Sequence, residues 1–177
     1  KKGKAEGITF HEDTANAASV IDEYYAVMEE TAQRDGFRPH PKAVYMDLLR
    51  TLGPKHARIF SMRDADDAIL CWDFCLVEGI RAQAEYGAST EAGRRLRQPP
   101  VLDFLAAEYL ARDGVREFDL MGAHSPRCPD LFSVGKYKIA FASHFTDVPG
   151  GWDMPIKKNT YRALRAAKAI KDWRARS

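Results

Sequence analysis

The sequence predicts an α/β (α+β) fold, a mixed central sheet flanked by helices. Two observations carry this. Periodic segments follow one another as strand, two helices, three strands, a helix, and then strand, helix and strand, and no repeat, low-complexity tract or internal linker interrupts them. The 177-residue length suits one domain spanning 1–177, large enough for a hydrophobic core. Hydrophobic residues at 45% and charged residues at 29% are ordinary for a globular chain, no apolar run approaches a membrane span, and no signal-peptide pattern opens the sequence.

Taken in order, "ITFHED" (8–13) reads as a short strand. In the following helix Val20, Tyr24, Val27/Met28 and Thr31 recur at helical spacing, and Gly36 supplies the stop. "PKAVYMDLLRTLG" (41–53) is a second helix, with Pro41 near its start and Gly53 past its end. "HARIFSMRD", "AILCWDFCLVEG" and "IRAQAEYGAS" read as three strands, the first two joined by the acidic turn "DADDA". Asp64, Asp66 and Asp67 there are turn residues rather than metal ligands, since Asp bonds to its own local backbone. "PPVLDFLAAEYLARDG" (99–114) is a helix with Leu102, Leu105, Ala106 and Tyr109 on one face and Gly114 closing it. "VREFDLMGAH" is a strand entering a loop, "HSPRCPD" is irregular, "LFSVGKYKIAF" suits a short helix, and "HFTDVPGGWDMPI" returns to strand.

Cys71, Cys75 and Cys128 form no disulfide framework. Four residues apart in a strand, Cys71 and Cys75 share a face, and buried thiols in a reducing compartment fit them better than metal ligation. Charge is uneven: residues 157–177 hold eight Lys and Arg against Asp172, while the whole chain is only +2. A basic terminal helix can face RNA or anionic lipid, or simply water. Its apolar residues Tyr161, Leu164, Ala167, Ile170 and Trp173 recur every three positions and slide around the helix, which is not a membrane-binding face. No P-loop, dinucleotide fingerprint, HExxH or CxxC is present, and His124, Ser125 and His144 lack the context of a nucleophile elbow. Residue types alone leave two lysines beside aromatics (Lys136 and Lys138), the basic tail and Tyr86 as candidates.

Several segments in chain order resemble the second domain of the FemABX peptidyltransferases, bacterial enzymes that add amino acids from aminoacyl-tRNA to peptidoglycan precursors. They are "EYYAVMEETAQRDGF", "AEYGAS" followed by "RRLRQPPVLDFLAAEYLARDGVREFDLMG", and "YKIAFASHFTDVPGGWDMPI". The resemblance implies one GNAT-like domain, the second of two, and the opening "KKGKAEGITF", without Met, is similar to the junction that follows the first. It implies a cytoplasmic enzyme, peripheral to the membrane if its substrate is lipid-linked. Its partners would be aminoacyl-tRNA, a lipid-linked or nucleotide-linked muropeptide, and the first GNAT-like domain. No metal or organic cofactor is expected, because the aminoacyl ester is already activated and positioning is the main task.

The resemblance also assigns residues. Lys138 falls on the family's Phe-Lys lysine, with Tyr137 in place of Phe. An ammonium there suits a precursor phosphate or the oxyanion formed as the ester is attacked, whereas Lys136 reads as a solvated charge. Tyr86, before Gly-Ala-Ser, would contact the precursor, and Phe141 would line the cleft with Tyr137. Two positions that hold Arg and Tyr in the family are His40 and Val44 here, with Tyr45 adjacent, and Ala142 replaces a Gly. His is shorter and partly charged at neutral pH, so these departures imply a divergent or lipid-linked substrate, or weakened activity. Two rival readings share the fold: an acyl-CoA N-acetyltransferase, disfavoured because "EYGASTEAGRR" lacks the Gly-rich pyrophosphate loop, and a non-catalytic domain that binds tRNA or a partner through the tail.

Overall fold

The axis of the molecule is the strand Ile69–Glu78 (β3), whose side chains alternate between two faces, each covered by its own helices. In this computed structural model, residues 7–123, 137–142, 146 and 152–174 are described. Upstream lie β1 (Thr9–Glu12), a 3-10 turn (Thr14–Asn16), α1 (Ala17–Asp35), α2 (Lys42–His56) and β2 (Ala57–Arg63). Downstream lie β4 (Arg81–Ser89), α3 (Glu91–Arg95), α4 (Gln98–Arg112) and β5 (Glu117–Asp119). The sheet order is β1-β2-β3-β4-β5, antiparallel as far as β4 and parallel between β4 and β5. The parallel step follows from the helical crossover α3–α4, since strands joined that way run in one direction. The result is the mixed α/β sheet that the sequence predicts.

Residues 71–75 show why the layers form. Trp72 and Phe74 point to the face covered by α1 and α2, where they pack with Ile21, Tyr24, Val27 and Tyr45. Cys71 and Cys75 point to the opposite face and pack with Leu102, Ala106 and Leu110 of α4. Both thiols are buried, and that burial pushes their pKa values up, so they are inert core residues. Burying a large apolar side chain such as Phe74 stabilises the fold by about 2–3 kcal/mol. The Trp72 indole N–H also donates to the Tyr24 carbonyl at 2.9 Å, which pins α1 to the sheet.

A polar cluster joins β1, α1 and β2 on the α1/α2 face. The Asp13 carboxylate accepts from the Tyr24 hydroxyl, from Ser61 Oγ at 2.8 Å and from Arg63 Nη2 at 3.3 Å. Arg63 also donates to the Asp67 carbonyl at 3.1 Å, and its side chain is only 5% exposed. Burial alone would raise the Asp13 pKa, but the hydroxyl donors and the guanidinium outweigh it and hold that pKa below the usual carboxylate range.

The turn after β2 is built as its aspartates suggest: the Asp64 carboxylate accepts from the backbone N–H groups of Asp66 (3.0 Å) and Ala68 (2.9 Å). Elsewhere the structure departs from the reading. Gly53 breaks α2 at φ 69° and ψ 175°, where the reading ends the helix, but one further turn from Pro54 to His56 follows the kink and was not anticipated. The short helix α3 was not anticipated; Thr90 caps it by accepting from the Gly93 N–H at 3.0 Å. Of the segment expected to be a short helix, Tyr137 and Lys138 form a helical turn, while 131–136 fall outside the described residues. Of the strand expected after it, residues 146 and 152–155 are not in a strand, and 144–145 and 147–151 fall outside the described residues.

The chain divides into two compact units, Lys1–Ser143 and His144–Ser177. The second holds the basic helix α5 (Lys158–Arg174), in which the Tyr161 hydroxyl donates to Asp153 and Arg165 lies 5.9 Å from the centre of the Tyr161 ring. Among the described residues no helix is long and apolar enough to cross a membrane.

Candidate active site

The sheet opens beside β4. Between Phe74 and Cys75 the β3–β4 register slips, with Tyr86 opposite Phe74 and Ala84 opposite Cys75, so Glu85 is the extra residue of a bulge. β5 pairs only with Arg81–Gln83, the part of β4 before the bulge. Among the described residues, the edge of β4 from Ala84 onward has no strand against it. The chain leaving β5 turns sharply: Met121 has φ 65°, and its N–H donates to the Asp119 carboxylate at 2.7 Å. That turn presents the Leu120 and Gly122 carbonyls to a single cation.

The cation is Lys138. Its ammonium donates to the Leu120 carbonyl and, at 2.9 Å, to the Gly122 carbonyl. Two of three N–H donors are thereby used, and one remains for a ligand. Burial lowers the Lys138 pKa, against the opposing charges of Asp103, Asp119 and Asp73. The lysine is therefore a half-buried cation held by backbone and facing acids. Lys136 lies outside the described residues.

Beneath Lys138 is a pair of acids. Asp73 of β3 lies in phase with Cys71 and Cys75, and Asp103 projects from the buried face of α4; they are 9% and 4% exposed. Asp73 pairs in register with Gly87, and a Cβ at Gly87 would stand 2.8 Å from Asp73 Oδ1. Only glycine leaves room for that carboxyl to lie across β4. The two carboxyls are within hydrogen-bonding reach of each other, and the Tyr137 hydroxyl bonds to Asp103. Burial, followed by the charge of Asp103, pushes the Asp73 pKa well up. Burial raises that of Asp103 to about 6, moderated by its hydrogen bonds and by Lys138. Tyr137 is 38% exposed, but its hydroxyl is turned inward, and burial together with the two acids raises its pKa. Phe141 packs edge-on against Tyr137 at 6.3 Å between ring centres.

Tyr86, Tyr45 and His40 occupy the other face of the sheet. Tyr86 stands 5.0 Å from Tyr45 and 5.9 Å from His40, ring centre to ring centre, in edge-to-face contacts. Tyr45 is 3% exposed and its hydroxyl bonds to the His40 backbone, so in this structure it is a packing residue. Tyr86 is half-buried and His40 is exposed. The structure thus brings the six candidates together as two triads, Lys138–Tyr137–Phe141 and Tyr86–Tyr45–His40, on opposite faces. Sequence reasoning missed Asp73 and Asp103. The available signal was an acid at an inward strand position between two cysteines, and another on the apolar face of a helix. Among the described residues no three His, Cys, Asp or Glu side chains gather as metal ligands.

The turn from β4 into α3 is closed to anions. The Ser89 N–H donates to Thr31 Oγ1 at 3.0 Å, Thr90 N–H to the Leu70 carbonyl at 2.9 Å, Glu91 N–H to Glu30 at 2.7 Å and Gly93 N–H to Thr90 Oγ1 at 3.0 Å. Glu30 and Glu91 stand at the same place, and so does Arg34, whose donors are taken by the Ser89 carbonyl at 2.7 Å and by Asp35.

The central mixed sheet, its helices on both faces and the notch beside β4 define the acyltransferase class of fold. The chain belongs to the family described as acetyltransferase (GNAT) domain, whose model matches residues 1–138. No curated protein matches this sequence. Among solved structures the chain is similar to FemX, with a TM-score of 0.66 at 12% identity over 77% of this chain. It spans half the length of FemX. It is also similar to aminoglycoside N-acetyltransferase AAC(6')-Iy in complex with CoA, with a TM-score of 0.60 at 12% identity over 85% of this chain and 97% of that one. A third likeness is to an aminoglycoside acetyltransferase from an uncultured soil metagenomic sample, with a TM-score of 0.59 at 10% identity over 84% of this chain and 96% of that one. At such identities these likenesses show the fold.

Proposed function

We propose that the chain is the second GNAT-like domain of a cytoplasmic aminoacyltransferase that moves an amino acid from aminoacyl-tRNA to the stem peptide of a peptidoglycan precursor. One observation carries this reading over acyl-CoA transfer. The β4–α3 turn, where a CoA-dependent enzyme would cradle pyrophosphate, has its N–H groups bound within the chain and two glutamates beside them. An aminoacyl-tRNA donor needs no pyrophosphate cradle there. The likeness to FemX supports the same reading, and the likeness to a CoA-bound acetyltransferase keeps the rival open to test.

In this mechanism the acceptor amine attacks the ester carbonyl at the notch. An N–C bond forms, the carbonyl oxygen takes the negative charge, and the ester C–O bond then breaks as the amine's proton passes to the ribose oxygen, which leaves as a hydroxyl. The third Lys138 donor stabilises the oxyanion. Tyr137 and Phe141 border the site, while Tyr86 and His40 contact the precursor from the other face. The basic helix α5 steers the tRNA, whose backbone is polyanionic. The first domain supplies the rest of the cleft, and no metal or organic cofactor is required.

The test uses the complete gene product with and without Lys138→Ala. Labelled amino acid is followed from charged tRNA to a lipid-linked muropeptide, with acetyl-CoA turnover measured in parallel. Transfer that falls about a hundredfold in the variant, on the scale of a lost oxyanion donor, supports the reading. Acetyl-CoA turnover without aminoacyl transfer establishes the rival acetyltransferase; RNA binding with neither activity establishes a binding domain.

A further inference from the structure

Asp73 and Asp103 are the least expected pair in the molecule. Two carboxyls within hydrogen-bonding reach, each more than nine-tenths buried, repel if both are ionised. Asp73 Oδ2 is buried, and among the described residues no N–H or O–H donor reaches it. A buried acceptor without a donor is costly, and a single proton placed between the carboxyls removes both the repulsion and the unmet acceptor. Gly87 keeps Asp73 in this position by leaving the space its Oδ1 fills. Among the described residues, the titratable groups around the pair are Cys71 and Cys75 from β3, Asp119 at the end of β5, and Tyr137 and Lys138 above it. Only Lys138 among these is a cation.

We infer that Asp73 and Asp103 hold one proton between them and act as positioning residues, placing a single negative charge behind Tyr137 and Lys138. Asp73 carries the proton and donates it to Asp103. Asp103 carries the charge, accepts the Tyr137 hydroxyl and holds Lys138 as an ammonium in a site that burial would otherwise drive toward the neutral amine. The charges then balance with one carboxylate on the pair. A second proton, taken up as the pH falls through about 6, discharges Asp103 and releases both residues from it. The catalytic consequence rests on the acyl-transfer reading of this notch, whereas the shared proton does not.

Two measurements test the inference. Infrared difference spectra on protein labelled with carboxyl-¹³C aspartate are expected to show a protonated aspartic acid at pH 7.5 that is lost in Asp73→Asn. Its absence from the wild type, or its survival in that variant, overturns the shared proton without any assay of activity. The second measurement is the pH profile of transfer, with thermal unfolding confirming that each variant is folded. Asn at position 73 stands in for the protonated acid but cannot take up the shared proton, so Asp73→Asn is expected to lower kcat less than Asp103→Asn does and to keep the acid limb near pH 6. Asp103→Asn removes the charge and is expected to lose at least about tenfold in kcat with little change in KM. Equal effects of the two substitutions overturn the assignment of positions. Wild-type protein that transfers from neither aminoacyl-tRNA nor acetyl-CoA overturns the acyl-transfer reading and the pair's catalytic consequence together, while the infrared band still decides the proton.

Discussion

The sheet carries two buried polar clusters with nearly the same ingredients. On one face Asp13 meets Tyr24, Ser61 and Arg63; on the other Asp103 meets Asp73, Tyr137 and Lys138. In the first, every contact to the carboxylate is a donor, two of them hydroxyls and one a guanidinium, and the Asp13 pKa is depressed. In the second, an acid faces an acid, one oxygen has no donor among the described residues, and both pKa values are raised. The first arrangement fastens three elements together. The second holds an acid in a protonation state it would not take in water at neutral pH, a condition found at sites which act on something.

The largest expected effect breaks the first cluster. Asp13→Ala strips the buried Arg63 of its main counter-charge and should cost about 3 kcal/mol in urea unfolding at pH 7, since an uncompensated buried charge is among the costliest defects. A loss below about 1 kcal/mol would show that Glu23 and Asp67 suffice. The pH dependence sharpens the contrast. Asp13 has a folded pKa below its unfolded value, so its contribution is complete above the unfolded value near 4 and is lost as the pH falls through the depressed one. Asp73 has a folded pKa above its unfolded value, so the folded state holds the extra proton, and stability declines as the pH rises from about 4 through the raised value. Asp73→Asn should therefore gain about 1 kcal/mol of stability over the wild type at pH 8, and that gain should vanish at pH 4. A gain independent of pH would mean that Asp73 never titrates.

The layers were legible because they depend on periodicity: Trp72 and Phe74 against Cys71 and Cys75 is an alternation visible in a single strand, and Val20, Tyr24, Val27 and Thr31 mark one face of one helix. Helix α3 was not legible, because five residues are too few to show a period and its start rests on a Thr90 cap. The break at Gly53 was legible because a glycine at φ 69° ends a helix, whereas the extra turn from Pro54 to His56 is too short to show a period. Lys138 and Tyr137 were reached through resemblance to a family motif, not through chemistry written in their own spacing. Their partners Asp73 and Asp103 are thirty residues apart on a strand and a helix, and only the packing of α4 on the sheet brings them together. Which face each candidate occupies was equally invisible, since it depends on the strand phase of Tyr86 and on the path of the chain after β5.

A smaller effect is expected from Gly87→Ala. The added Cβ would stand 2.8 Å from Asp73 Oδ1, so the carboxyl must move off β4 at a cost of about 1–2 kcal/mol. The penalty should shrink to a few tenths of a kcal/mol in an Asp73→Ala background, the signature of direct coupling in a double-mutant cycle. An unchanged penalty would place the strain in the backbone.

The smallest expected change in stability is the most informative about the second face. The Tyr86 hydroxyl has no hydrogen-bond partner among the described residues, and burial together with the charge of Glu85 raises its pKa. Removing that oxygen in Tyr86→Phe leaves the edge-to-face contacts with Tyr45, His40 and Phe74 in place, so unfolding should change by less than about 0.5 kcal/mol. If the hydroxyl serves a precursor, KM for the acceptor should rise severalfold while kcat holds, because a contact made equally in ground and transition states is lost. Unchanged KM and kcat would confine Tyr86 to packing and leave the Lys138 face to bind the precursor.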